Sequence, residues 1–388
     1  MNKDDFLKNN IYLFNDNVNL NFKNDYNKEI NKNLDEIIKL LEESNLQDFA
    51  NKLPKSSTIS RASALKNIKE AYQKEKLVPV LGAGISIEFG VPAWSNLLQS
   101  LMVYTIEKEH KVSSVLSKLF NSIFSPNPLI AGRYLQSYFE EHNSSFESMV
   151  RDVLYSKIDK DKHSDLLDEI VRICAAPGKS PNLDSIITYN FDDILESKLD
   201  KTGMDIPYKS IYGIGLEIKS EELPIFHVHG FLPEKKKLNE LNKITFGENN
   251  YHQQYSDIYS WNNIVQINKF RENTCLFIGS SLTDPNIRRL LDIALKQKGN
   301  KKKHHYIFKK TIDLTYLKNK LKEALNSPEI LNNKNNAGLN FNETVELLKD
   351  IYERFEENDS ASFGVQTIWI ESWDEIPKIL KNMRENVA

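Results

Sequence analysis

The chain has 388 residues, 40% hydrophobic and 27% charged, with a formal net charge of −3. That composition fits a globular protein with a sizeable core and gives no electrostatic case for binding nucleic acid or an acidic membrane. The two cysteines, Cys174 and Cys275, form no C-x-x-C pair, which excludes a cysteine-rich zinc site and suits a reducing intracellular compartment. Met1 to Asn10 is too polar for a signal peptide and no apolar run approaches a membrane span, so a cytoplasmic location with no membrane partner is expected.

Residues 1–70 predict a polar helical extension. Leu34, Ile37, Ile38 and Leu41 share one helical face, and residues 44–53 can form a second helix. Such a stripe either packs on the main domain or makes an oligomer or partner surface. Leu77-Val78-Pro79-Val80-Leu81 predicts a buried strand. Gly82-Ala83-Gly84 follows, where glycines permit a sharp turn and a close backbone approach. Residues 85–89 can then open a helix whose amides face a phosphate. Strand, glycine turn and helix are the order of a dinucleotide-binding βα junction. Ile87, however, stands where G-x-G-x-x-G has its third glycine.

Residues 91–94 predict a turn, with Ser95 as cap for a helix over 96–109. From there to residue 180 the patterns are helical, clearest at 129–139 and 146–158. They suggest a small helical subdomain over about 96–180, closed by the Pro/Gly loop 175–181. Further strands are predicted at 184–189, 224–230, 274–281, 305–308 and 364–370. Helices begin near Ile194, Asn262 and Asp284, the last with Pro285 in its first turn. Residues 310–360 are charged and helical, an insertion or lid, and 373–383 form a closing helix. The alternation predicts an α/β fold, a Rossmann-like doubly wound parallel sheet.

Four strand ends carry small or polar groups: Gly82-Ala83-Gly84, Asn190-Phe191-Asp192, His229-Gly230 and Gly279-Ser280-Ser281. In a parallel sheet such ends converge on one crevice. With Thr188, Ser86, Gly90 and Pro92 they reproduce, in order, the patterns G-A-G-x-S-x-x-x-G-x-P, T-x-N-x-D, H-G and G-[ST]-S. In this the chain resembles the sirtuin family, in its bacterial NAD-consuming branch. The resemblance covers about 70–308 and 362–383, within a catalytic domain of 71–388.

The resemblance implies NAD+ as substrate, with Gly82, Ala83, Gly84 and Ser86 at its pyrophosphate. Thr188 belongs to the same cofactor-binding set, and Asp192 would contact the nicotinamide amide. Ser280 and Ser281 would hold the adenosine ribose, with Gly279 in the same cofactor-binding set, and Asp284, expected to cap its helix, can also approach the cofactor ribose. Asn190 would position the water or hold the nicotinamide ribose, and His229 would act as general base at the ribose hydroxyls. A neutral-range imidazole and a fixed amide suit cleavage of a glycosidic bond through an oxocarbenium-like state. No metal is implied: the protein-deacylating members carry a four-cysteine zinc module, whereas residues 231–278 here contain only Cys275. That loss, and Ala93-Trp94-Ser95 where those members have Asp-Phe-Arg, favours water over an acyl-lysine acceptor.

The expected activity is therefore NAD+ hydrolysis to nicotinamide and ADP-ribose, in antiphage defence by NAD depletion. The alternatives are a deacylase or ADP-ribosyltransferase, and a non-catalytic scaffold binding NAD or ADP-ribose. No second sensing domain is evident, so a homo-oligomer with a separate activating partner is expected. A HerA-like ATPase translocase is the first choice, and a short Argonaute or a phage protein the others. His227, two residues before His229 and facing the same side if the strand is regular, reads as structural. Asp193 and Glu196 read as helix N-terminal charges. Tyr251, Tyr255, Tyr259 and Trp261 read as packing or as the wall of a nicotinamide pocket.

Overall fold

A computed structural model describes residues 59–110, 128–141, 145–175, 183–203, 206–299, 304–325 and 341–385. The predicted N-terminal stripe and most of loop 175–181 lie outside them. The chain divides into two units, one of residues 59–309 and 363–388, the other of residues 1–58 and 310–362.

The larger unit is built on seven strands: β1 (Leu77–Leu81), β2 (Ile186–Thr188), β3 (Tyr208–Ile211), β4 (Leu223–His227), β5 (Thr274–Ile278), β6 (His305–Lys310) and β7 (Val365–Ile370). Their order across the sheet is β3-β4-β2-β1-β5-β6-β7. The registered pairs are parallel, for example Leu81 with Thr188 and with Ile278, and Thr188 with His227. Chain connections leave β1 toward β2 and leave β5 toward β6, in opposite directions. The crevice between the carboxyl ends of β1 and β5 is thus the topological switch point, where open α/β sheets bind ligands.

The strands are apolar on both sides because both faces are covered. Leu77, Leu81, Ile186, Ile225, Leu276, Tyr306 and Ile368 point into one core. Against it pack α1 (Arg61–Gln73), α2 (Trp94–His110), α3 (Pro128–Glu141), α4 (Phe146–Tyr155), α5 (Asp165–Cys174), α6 (Ile194–Lys201) and α12 (Glu375–Glu385). Val78, Val80, Ile187, Phe226, Phe277 and Ile307 alternate onto the other face, under α8 (Trp261–Glu272) and α9 (Pro285–Lys298). A shorter helix, α7 (Glu248–Ser256), precedes α8. In the other unit α10 (Leu314–Leu325) and α11 (Phe341–Ser362) pack on each other.

Three expectations change in detail. Strand β3 has no counterpart in the sequence reading: it is a four-residue edge strand in which only Ile211 is buried, so it has no apolar run to announce it. Helix α2 starts at Trp94, which puts Ser95 inside the helix and not at its cap. Helix α1 falls within the span assigned to an N-terminal extension, yet it buries Ala64, Ile68, Ala71 and Tyr72 in the main core, and Arg61 pairs with Glu375 at 2.6 Å.

Candidate active site

The two glycine turns at the switch point lie back to back. The Gly82 amide donates to the Ile278 carbonyl at 3.0 Å and the Gly84 amide to the Gly279 carbonyl at 2.9 Å. A Cβ on Gly82 would stand 2.5 Å from the Gly279 oxygen, closer than atoms can approach, so Gly82 is required by this backbone crossing. After it the chain makes two short 3₁₀ turns, Ala83–Ile85 and Ile87–Phe89, and no α-helix. Ala83 and Gly84 are exposed at the crevice, whereas Ser86 is 1% exposed.

The Ser86 hydroxyl is the hub of a buried network. It donates to Asp192 Oδ1 at 3.2 Å and accepts from Asn190 Nδ2 at 3.0 Å. Asn190 Nδ2 also donates to the Gly82 carbonyl at 3.2 Å. A carbonyl only accepts, so this contact fixes which way the amide faces. It commits the NH2 group to the glycine turn and leaves Oδ1 as the available acceptor. Thr188 ends β2 with its Oγ1 accepting from the Asn190 amide at 3.1 Å. Asp192 Oδ1 also accepts from the Ile194 amide at 3.2 Å, at the start of α6. Burial pushes the Asp192 carboxyl up to about 6, against the pull of the Ile194 amide and the Ser86 hydroxyl. Between them Phe191 packs edge-on to Trp94, with centroids 6.2 Å apart, which pins the turn to the helical subdomain.

His229 lies just beyond β4. Gly230 follows at φ +105°, where a Cβ would come within 2.2 Å of the Lys243 oxygen, and this turn carries the chain off the sheet. Consequently His227 and His229 have different surroundings. The His229 ring packs edge-on between Tyr189, at 4.8 Å, and Tyr251, at 6.1 Å. Its Nε2 is buried with no hydrogen-bond partner among the described residues. The nearest charge is Asp284 Oδ2, 4.0 Å away. Burial lowers the His229 pKa and Asp284 opposes the shift. The imidazole therefore stays neutral and able to accept a proton below the usual histidine range.

Asp284 caps α9, its Oδ1 accepting from the Asn286 and Ile287 amides at 2.8 and 2.9 Å. Its other oxygen accepts the Tyr251 hydroxyl. Desolvation and Asp284 hold Tyr251 firmly protonated. Tyr255 and Tyr259, its neighbours in sequence, are exposed. Ser280 is half-buried and Ser281 exposed, with Ser281 Oγ 2.7 Å from Thr283 Oγ1. The loop is held by Leu282, a buried leucine at φ +55°, a conformation costing about 1–2 kcal/mol. Two groupings result. Gly82, Ala83, Gly84, Ser86, Thr188, Asn190, Asp192 and Gly279 join through hydrogen bonds and contacts, while His229 and Asp284 face each other beside Tyr251.

Two supports of this site go beyond the sequence reading, which gave Asp193 only the place of a helix N-terminal charge. One is a buried amide network: Asn286 Nδ2 donates to Gln254 Oε1 at 2.7 Å, and Asn263 Nδ2 to the Gln254 carbonyl at 2.8 Å, tying α7, α8 and α9 together. The other is Asp193, which meets Lys160 at 2.5 Å and the Tyr155 hydroxyl at 2.8 Å and so anchors the helical subdomain to the Asn190 turn. Scattered amides and isolated charges have no period to betray them.

A doubly wound sheet with a glycine turn and a buried Asn–Ser–Asp network at its switch point, and a buried histidine nitrogen without a hydrogen-bond partner just beyond β4, has the layout in which Rossmann-type folds bind nucleotides. Residues 184–334 match the model of the SIR2-like domain. The match holds the Asn190, His229 and Gly279 motifs, to which the glycine turn is joined by its hydrogen bonds. The chain is also 20% identical over 323 residues to the NAD(+) hydrolase ThsA of Enterococcus faecium, an alignment covering 83% of this chain and 58% of that protein. The chain thus spans under two thirds of that relative's length.

Proposed function

We propose that this protein hydrolyses NAD+ to nicotinamide and ADP-ribose. The observation that carries the reading is His229 Nε2, buried and unpartnered at the end of a nucleotide crevice. A buried imidazole nitrogen without a partner forfeits hydrogen-bond energy, and a substrate hydroxyl supplies the missing donor. The name of the curated relative, an NAD(+) hydrolase, supports the same chemistry.

In this reading Ala83 and Gly84 meet the pyrophosphate, and Ser280, Ser281 and Asp284 the sugar hydroxyls. Asn190 Oδ1 accepts a hydrogen bond from water and turns its lone pair toward the anomeric carbon. The bond from that carbon to nicotinamide breaks, nicotinamide leaves with the bonding pair, and water adds. His229 takes a proton from the sugar–water assembly. Ser86 and Asp192 act through Asn190 and the crevice wall.

Such an activity drains the cell of NAD+, which fits an antiphage effector held off until triggered. We assign the trigger to a separate partner, a HerA-like ATPase translocase in preference to a short Argonaute or a phage protein, and the working form to a homo-oligomer. Residues 1–58 supply the contact surface. Chromatography of NAD+ incubated with the purified chain tests the chemistry. Full activity in Asn190→Ala or His229→Ala would overturn the assignment.

A further inference from the structure

Among the described residues, the best-buried acid–base pair is one that the proposed chemistry does not touch. His227 is 1% exposed and Glu196 6%. His227 Nε2 lies 2.7 Å from Glu196 Oε1, and Nδ1 lies 3.2 Å from the backbone carbonyl of Asn190. The Ser210 hydroxyl donates to the same Glu196 oxygen at 2.8 Å. The imidazole is braced against Phe231, with ring centroids 4.1 Å apart. A carbonyl only accepts, so Nδ1 carries a hydrogen, and the second nitrogen faces a carboxylate.

Buried pairs of this kind are poor stabilisers: apolar residues of the same volume serve as well or better. What this one supplies is direction. It grips the carbonyl of Asn190 from the β4 and α6 side, while the Asn190 side chain grips Gly82 and Ser86 from the crevice side. The residue is clamped at both ends, and rotation of its peptide would swing the amide off the glycine turn.

We propose that Glu196 and His227 are positioning residues, which fix the Asn190 carbonyl and thereby aim the Asn190 side chain at the reacting centre. The kinetic consequence rests on the NAD+ hydrolase reading; the structural consequence does not.

Two substitutions separate aim from packing. The amide of Asn at 227 overlies the imidazole Nδ1, so His227→Asn keeps the donor to Asn190 and drops Glu196. Gln at 227 overlies Nε2, so His227→Gln keeps Glu196 and drops Asn190. His227→Gln is expected to lose kcat for NAD+ about a hundredfold, the usual cost of a displacement near 1 Å, with KM little changed. His227→Asn is expected to stay within about tenfold of wild type, although both variants melt lower by a similar amount. Glu196→Leu, which takes the brace from Nε2, is expected to lose kcat about tenfold with KM little changed, whereas Glu196→Gln, whose amide can still reach Nε2, recovers most of it; equal kcat in these two variants would overturn the part assigned to Glu196 and covers the case in which the His227 variants fold poorly. Crystal structures then show the Asn190 amide on Gly82 and Ser86 in His227→Asn, and displaced in His227→Gln. Equal loss of kcat in the two variants, tracking their melting temperatures, would overturn the proposal. So would an undisturbed Asn190 in His227→Gln, whether or not the wild type hydrolyses NAD+. Absence of hydrolysis by the wild type would instead overturn the functional reading.

Discussion

The crossing of the two glycine turns makes Gly82→Ala the sharpest structural test. The new methyl would stand 2.5 Å from the Gly279 oxygen and 2.9 Å from the Ser280 Cα, where carbon contacts ordinarily settle at about 3.5–4.0 Å. Both obstacles are backbone, and the turn that presents them is held by Leu282 at φ +55°, so neither yields cheaply. Overpacking of this kind costs about 1–3 kcal/mol, or a melting temperature lower by about 2–12 °C for a domain of this size. The clash also pushes the two turns apart at the crevice. ADP-ribose affinity, read by calorimetry, should fall at least about tenfold, given that displacements near 1 Å weaken positioned chemistry severely. Gly213→Ala is the control, because the nearest atoms to its methyl belong to the Leu241 side chain, from 3.1 Å, which can move. A Gly82→Ala protein with wild-type melting and wild-type ADP-ribose binding would refute the reasoning that these glycines are dictated by the β1–β5 crossing.

Replacing His229 by Gln should lower kcat about 10²–10⁴-fold, the range for a lost general base. Melting should change little, since Nε2 makes no hydrogen bond to lose; a large drop in stability would contradict that. Asp192 titrates near pH 6 in the folded chain through burial, against about 3.9 unfolded. The folded state thus binds this proton more tightly, and stability contributed by Asp192 is lost as pH rises from about 4 to about 6, by up to roughly 3 kcal/mol. Asp192→Asn should flatten the denaturant midpoint over that window, and an unchanged pH profile would count against the assignment. Tyr155→Phe removes the hydroxyl that accepts from the Asp193 amide at 2.9 Å and reaches the Leu232 carbonyl at 2.9 Å. It should cost about 1–2 kcal/mol by denaturant melt, loosening the helical subdomain; a neutral result would deny that anchor.

Much of the sheet was legible because buried parallel strands are short apolar runs ending in small residues. Leu77–Leu81, Ile186–Thr188 and Thr274–Ile278 all have that form. Strand β3 was not, since an edge strand needs only one buried side to pair. The convergence of Gly82, Asn190 and Gly279 followed from strand ends and parallel order. The direction of individual side chains did not. Ser86 turns inward to Asp192 because Asn190 offers it a donor, and no local pattern encodes that meeting across more than a hundred residues of chain. His227 and His229 alternate in sequence as though on one face, but the strand stops at His227 and Gly230 turns the chain. Glu196 has the position of a helix N-terminal charge, and only the fold brings it against His227.

In the proposed function, this crevice cleaves the nicotinamide–ribose bond of NAD+ with Asn190 and His229. The most direct measurement is product analysis of NAD+ incubated with the full chain, alone and with the product of the neighbouring reading frame. Nicotinamide and ADP-ribose are expected in equal amounts, and neither from Asn190→Ala or His229→Ala protein that still melts cooperatively. NAD+ recovered intact under both conditions, or equal turnover by the variants, would contradict it.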